Sequence, residues 1–170
     1  MDSCPGFLTC KGLIGRCRAL TAFQGREMRI FLPSVAHWVS LLKHDANQVG
    51  NWGISSKVAG YYGSNYLHDG NANKGQKIAV FSPPNLDGGY FDVQMRWASS
   101  PNRAVNVPVD IRHADGITTK SVDETVDGGK FVSLGVYRFA MGVANRIVIR
   151  TDKANGYVVA DPVRFIYVPH

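Results

Sequence analysis

A strict alternation of apolar and polar residues over two stretches limits what this chain can fold into more than any other feature. Phe91, Val93, Met95 and Trp97 alternate with Asp92, Gln94 and Arg96. After Ser99-Ser100-Pro101-Asn102, Val105, Val107, Val109 and Ile111 alternate with Asn106, Pro108, Asp110 and Arg112. Period two places one side-chain set against a core and the other in water, which predicts two half-buried strands. Asp115-Gly116 then returns the chain into Ile117–Val122, as a tight hairpin requires.

The same pattern recurs on both sides. Trp38–Leu42 reads as the first strand, Lys77–Ser82 as another closed by Pro83-Pro84, and Asp87-Gly88-Gly89 turns into Tyr90–Trp97. Phe131–Phe139 changes parity beside Gly135, where a bulge would re-aim the strand. Arg146–Thr151 alternates again. Asn155-Gly156 is a hairpin signal, and Tyr157–Val168 reads as one last strand with Pro162 at an edge or bulge. With 18 Gly and 8 Pro among many Val, Tyr and Phe, no segment reads as a helix. The expected fold is all-β: an antiparallel, jelly-roll-like β-sandwich over residues 36–170.

Residues 1–35 carry no sustained periodicity and read as a poorly structured N-terminal extension. Lys11, Arg16 and Arg18 interrupt any apolar run of signal-peptide type, and no stretch approaches the roughly 18 residues of a membrane span. With no secretion signal visible, the chain is expected to be a piece of a longer one or to start elsewhere. Cys4, Cys10 and Cys17 fit no zinc-site spacing. Most of the net charge of +6 belongs to this end: six Lys/Arg stand against two acids in residues 1–44, and thirteen against eleven in 45–170. Charges of both signs are interspersed along the strands, which argues against a nucleic-acid face.

The order of Asn51-Trp52, Gly60-Tyr61-Tyr62-Gly63, Tyr66-Leu67-His68-Asp69, Asn73-Lys74-Gly75, Arg96-Trp97, Asn102-Arg103-Ala104, Asn106-Val107-Pro108-Val109, His113-Ala114-Asp115-Gly116, Leu134-Gly135, Gly156–Asp161 and Val163-Arg164-Phe165 resembles one module. It is the golvesin C-terminal-like domain, also described as the golvesin and xanthan-lyase carbohydrate-binding-like domain. The resemblance covers about residues 40–170, with Pro162 replacing an expected Ala. It implies a non-catalytic accessory sandwich of a bacterial extracellular or cell-surface protein, whose parent is a polysaccharide lyase, a hydrolase or an oxidoreductase. The implied partner is a polysaccharide or glycan; the alternative is a structural or adhesion module packing against neighbouring domains of the parent.

Reactive centres are not expected. His68-Asp69 and His113…Asp115 are the tempting pairs, but no nucleophile elbow accompanies them, and both aspartates serve turns. Glu124 is the sole glutamate outside the leader, which leaves a two-carboxylate glycosidase poorly supplied. Asp161 lies on an inward parity, so it needs a partner: Arg103, Arg96, His113 or an amide of the Tyr61–Asp69 loop. No cofactor is expected, although Asp161 and Asp69 are hard oxygen donors that would suit a structural calcium. Aromatic faces beside polar groups suit sugars, so the candidate ligand-binding set is Trp52, Tyr62, Asn65, Tyr66, His68 and Arg103. Asp161, Asp69 and Trp97 are expected to be structural.

Overall fold

The computed structural model describes residues 38–83 and 86–169; the expected extension over residues 1–35 lies outside them. Its strands are β1 (Trp38–Leu41), β2 (Asn47–Val49), β3 (Gly53–Ser55), β4 (Tyr66–His68), β5 (Ile78–Phe81), β6 (Gly89–Met95), β7 (Val107–His113), β8 (Gly116–Val122), β9 (Val132–Phe139), β10 (Arg146–Arg150), β11 (Val159–Ala160) and β12 (Val163–Val168). A 3-10 turn at Lys43–Asp45 is the one helical element among the described residues, and none is long and apolar enough to cross a membrane.

The strands form a four-stranded sheet in the order β1-β12-β6-β9, a five-stranded sheet β2-β5-β10-β7-β8 and a small sheet β11-β4-β3. All pairings between named strands are antiparallel. Alternation decides which residues enter the core. Phe91, Val93, Met95, Phe139, Val163 and Phe165 of the first sheet meet Phe81, Val107, Val109, Ile111, Ile147 and Ile149 of the second in one buried cluster. Burying such side chains stabilises each by about 1.5–3 kcal/mol, and two faces covering one another are the definition of a sandwich.

Three local features position the site. Val93 pairs with Gly135 but Gln94 pairs with Ser133, so Leu134 is the extra residue of a bulge, with Gly135 at φ 124°. The bulge buries both Leu134 and Phe139 while leaving Val136 exposed. The expected single strand over Tyr157–Val168 is instead two: β11 pairs with β4, and β12 pairs with β1 and β6. Pro162 has no N–H to continue a ladder, and at the Asp161-Pro162 corner the chain changes sheets; the Pro162 carbonyl accepts from Arg96 N at 3.2 Å.

Asn155-Gly156 is likewise not a two-residue hairpin, since β10 and β11 belong to different sheets. Asn155 Oδ1 accepts from Val105 N, and Asn155 N donates to Asn106 Oδ1. Gly156 passes the Arg103 carbonyl so closely that an added Cβ would lie 2.5 Å from its oxygen. These two residues dock one loop on another.

Candidate functional site

The candidate residues separate into a buried polar scaffold and an exposed pocket. Asp69 anchors the scaffold. Its Oδ1 accepts from Val158 N and Asn71 N, both at 2.9 Å, and its Oδ2 accepts from Lys74 Nζ at 2.5 Å. Its carbonyl accepts from Lys77 Nζ at 2.5 Å, and Lys74 also donates to the Gly156 carbonyl. A buried carboxylate costs several kcal/mol unless so satisfied.

Arg103 is also inside. Its Nε donates to the Ala98 carbonyl (3.0 Å), Nη1 to Asn102 Oδ1 (3.0 Å) and Nη2 to the Tyr66 hydroxyl (3.1 Å). The guanidinium lies over the Tyr66 and Tyr157 rings at 5.4 and 5.9 Å. Tyr66 is 3 % exposed and Arg103 6 %, so this conformation places both behind the surface, where neither offers a free face to a sugar. His68 is half-buried, with Nδ1 accepting from Gly70 N at 3.1 Å. Burial, then the Arg103 charge, holds its pKa below the usual value, so the ring is neutral near pH 7. Trp52 donates through Nε1 to the carbonyls of Val49 and Ile78 and packs against the core. Trp97 is buried and donates to the Val126 carbonyl.

Glu124 completes the scaffold. It is fully buried, with Oε2 accepting from Val159 N at 2.7 Å and Oε1 without a partner. Burial pushes its pKa well above the ordinary carboxylate range; the Val159 amide and Arg103 oppose this.

The exposed site lies at the Tyr62 loop. A pocket of about 160 Å³ is lined by Leu42, Lys43, His44, Tyr62, Gly63, Ser64 and Asp161. Tyr62 is 43 % exposed. Its ring has the Arg96 guanidinium 5.8 Å from its centroid and Phe131 at 6.1 Å, and Arg164 lies 3.8 Å from the Phe131 centroid. Arg96 is itself held by the carbonyls of Gly60 and Tyr61, so a braced column orients the tyrosine.

Asp161 forms the pocket's inner wall. Of the partners expected for it, the structure places a loop amide: Tyr62 N donates to Oδ2 at 2.7 Å. Oδ1 is buried and has no partner. Burial pushes the carboxyl up to about 7, against the Tyr62 amide, Lys43 and Arg96, which lower it. Asn65 stands beside this loop with Nδ2 on Ser64 Oγ at 3.3 Å.

The structure therefore brings Tyr62 and Asp161 together, buries Tyr66, Arg103 and Asp69 in the interior scaffold, and leaves His68 half-buried at its edge. Lys43, His44 and Phe131 were absent from the sequence-based set. The first two come from the 3-10 turn after β1, which carries no periodic signal, and Phe131 immediately precedes β9. No group of three or more His, Cys, Asp or Glu side chains gathers among the described residues, and both Asp69 oxygens accept from nitrogen donors.

Chemically, the pocket pairs an apolar ring face with an ammonium, an imidazole, a hydroxyl and a buried acceptor oxygen. Such a set can hold a polar ring compound by stacking and hydrogen bonding.

Comparison with known proteins agrees with this architecture. The xanthan lyase of Bacillus sp. (strain GL1) is 40 % identical over 124 residues, covering 71 % of this chain and 13 % of the relative. The chain thus spans only a small part of that enzyme's length. A Paenibacillus xanthan lyase structure superposes with a TM-score of 0.75 at 41 % identity, over 78 % of this chain and 13 % of that one. A family 35 carbohydrate binding module from Clostridium thermocellum shares the fold, with a TM-score of 0.57 at 18 % identity, over 78 % of this chain and 100 % of that one. The family model of the Golvesin C-terminal domain matches residues 39–167, and the chain belongs to that family.

Proposed function

We propose that this domain is a non-catalytic accessory module that holds a parent polysaccharide-degrading enzyme on an extracellular glycan. The observation that carries the reading is the pocket beside Tyr62: an exposed, braced ring next to a buried Asp161 oxygen that lacks a donor. A sugar ring stacked on Tyr62 would find Lys43, His44 and Ser64 as partners for its hydroxyls, over a wall whose inner side is Asp161. The likeness to a carbohydrate binding module and to part of a xanthan lyase supports the same reading.

The non-catalytic part rests on how the tempting pairs are used. Asp69 is saturated by scaffold donors, while His113 Nε2 meets Thr118 Oγ1 and Asp115 pairs with Arg138. None is left poised against a nucleophile.

A glycan array followed by titration calorimetry tests this reading. Binding of at least one neutral or acidic oligosaccharide is expected, weakened tenfold or more in Tyr62→Ala and unchanged in Asn71→Ala. Equal binding by wild type and Tyr62→Ala would remove the site.

One observation favours a packing role instead. Trp38, Ile166, Asp92 and Val136 lie in register across the outer face of the four-stranded sheet, and Trp38 and Val136 are more than half exposed. That row would suit a neighbouring domain of the parent chain, and a chain that binds no glycan on the array would favour it.

A further inference from the structure

Arg112 of β7 and Arg146 of β10 are direct cross-strand partners. Ile111 and Ile147 beside them are fully buried in the core, so alternation turns both arginines to the outer face of the five-stranded sheet, with Cβ atoms roughly 4.5–5.5 Å apart. Like charges directly opposite one another destabilise a sheet. Neither arginine makes an ion pair among the described residues, and the Nε of each is shielded from water with no hydrogen-bond partner.

The third arginine on this face is neutralised. Arg150 lies 3.0 Å from Asp110 Oδ2 through Nε and 2.6 Å from Asp152 Oδ1 through Nη1. Asp110 shares strand and face with Arg112, yet its oxygens are taken by Arg150 and by the Thr119 hydroxyl. The acids of the face therefore crowd at one end, and at the other end two cross-strand arginines have no ion-pair partner among the described residues.

We propose that Arg112 and Arg146 form a second ligand site, separate from the Tyr62 pocket, which grips a carboxylate of an acidic polysaccharide lying across the five-stranded sheet. A carboxylate between two planar guanidinium forks accepts paired hydrogen bonds from both and turns their repulsion into attraction. Ile117, opposite Arg112 and more than half exposed, gives the strip an apolar edge for sugar C–H groups. The polysaccharide class rests on the function proposed above; the anion site does not.

Affinity electrophoresis of the full chain through polygalacturonate, dextran and poly-glutamate gels tests this, together with thermal melting in each polymer. Polygalacturonate should retard the chain in a salt-sensitive way and raise its Tm. Arg112→Gln/Arg146→Gln should weaken that retardation at least tenfold and abolish the Tm rise, while Tyr62→Ala leaves both intact. Without polymer, the double variant should melt no lower than wild type. Should it fail to fold, Arg112→Lys carries the test, since it keeps the charge and removes the fork. A several-fold loss supports the site, and unchanged affinity overturns it. No retardation by polygalacturonate, equal retardation of wild type and double variant, or equal retardation by poly-glutamate would each overturn the proposal. Binding of polygalacturonate through the arginines after the Tyr62 site has failed its own test would uphold this site alone.

Discussion

The backbone N–H of Tyr62 donates to Asp161 Oδ2 at 2.7 Å, joining residues 99 positions apart. The bond ties the exposed loop to the corner where the chain passes from β11 to β12. Asp161→Ala would leave the Tyr62 amide without its acceptor, which costs about 1–3 kcal/mol when the group stays buried. A fall of that size in unfolding free energy from urea titration near pH 4, where the folded carboxyl is protonated, is the expected outcome, with sharper proteolysis between Tyr61 and Asn65. Unchanged protection of the loop would separate Tyr62 from this clamp.

The same carboxyl makes stability depend on pH, in the direction opposite to an ordinary ion-paired aspartate. Its pKa is raised from 3.8 to about 7 in the folded chain. Between those values the folded state keeps a proton that the unfolded state has released, so stability falls as pH rises from about 4 to 7, by at most about 1.4 kcal/mol per pH unit from this group. Glu124 acts in the same direction, because burial raises its pKa as well. Asp161→Asn and Glu124→Gln should therefore gain stability relative to wild type as pH climbs from 4 to 8. A difference that stays flat across that range in paired thermal melts would contradict the burial of both acids.

Asp69 has three donors on its carboxylate. Asp69→Ala strands the Lys74 ammonium and the Val158 amide, and removing one partner of a buried pair costs about 3–5 kcal/mol. Lys74→Met should cost less, because the Val158 and Asn71 amides still hold the carboxylate. Urea midpoints in the order wild type, Lys74→Met, Asp69→Ala are expected, and the reverse order of the two variants would show that Lys74 governs the junction.

How much of this was legible beforehand follows from where period two operates. Phe91–Met95 and Val107–Ile111 each bury one face against a single opposing sheet, so alternation identified their core residues directly. It failed at Asp161-Pro162, because a strand that changes sheets keeps its parity while exchanging its neighbours. At the site, composition picked out the Tyr62 loop but could not sort it by depth. Tyr66 lies on β4, paired on both sides by β3 and β11, and its hydroxyl is taken by Arg103; Tyr62 lies four residues earlier and faces out. Lys43 and His44 reach the pocket through a 3-10 turn whose placement depends on β1 pairing with β12, a relation across the whole domain.

Gly156 shows the same limit in a form that mutation can measure. Asn-Gly normally marks a hairpin because glycine and asparagine tolerate positive φ, yet Gly156 does not appear among the positive-φ glycines. What the position demands is space: an added Cβ would come within 2.5 Å of the Arg103 oxygen and 2.7 Å of Ala104 N, both backbone atoms that cannot swing aside. Gly156→Ala must therefore push the 155–158 segment away from Arg103, straining the Ala104 N to Tyr157 O bond of 2.9 Å and the Lys74 contact with the Gly156 carbonyl. Overpacking of this kind costs about 1–3 kcal/mol. Asn155→Asp, which keeps the acceptor for Val105 N, should cost little by comparison. A Gly156→Ala loss in chemical denaturation well above that of Asn155→Asp is the expected outcome, and an equally small loss in both would contradict the close approach to Arg103.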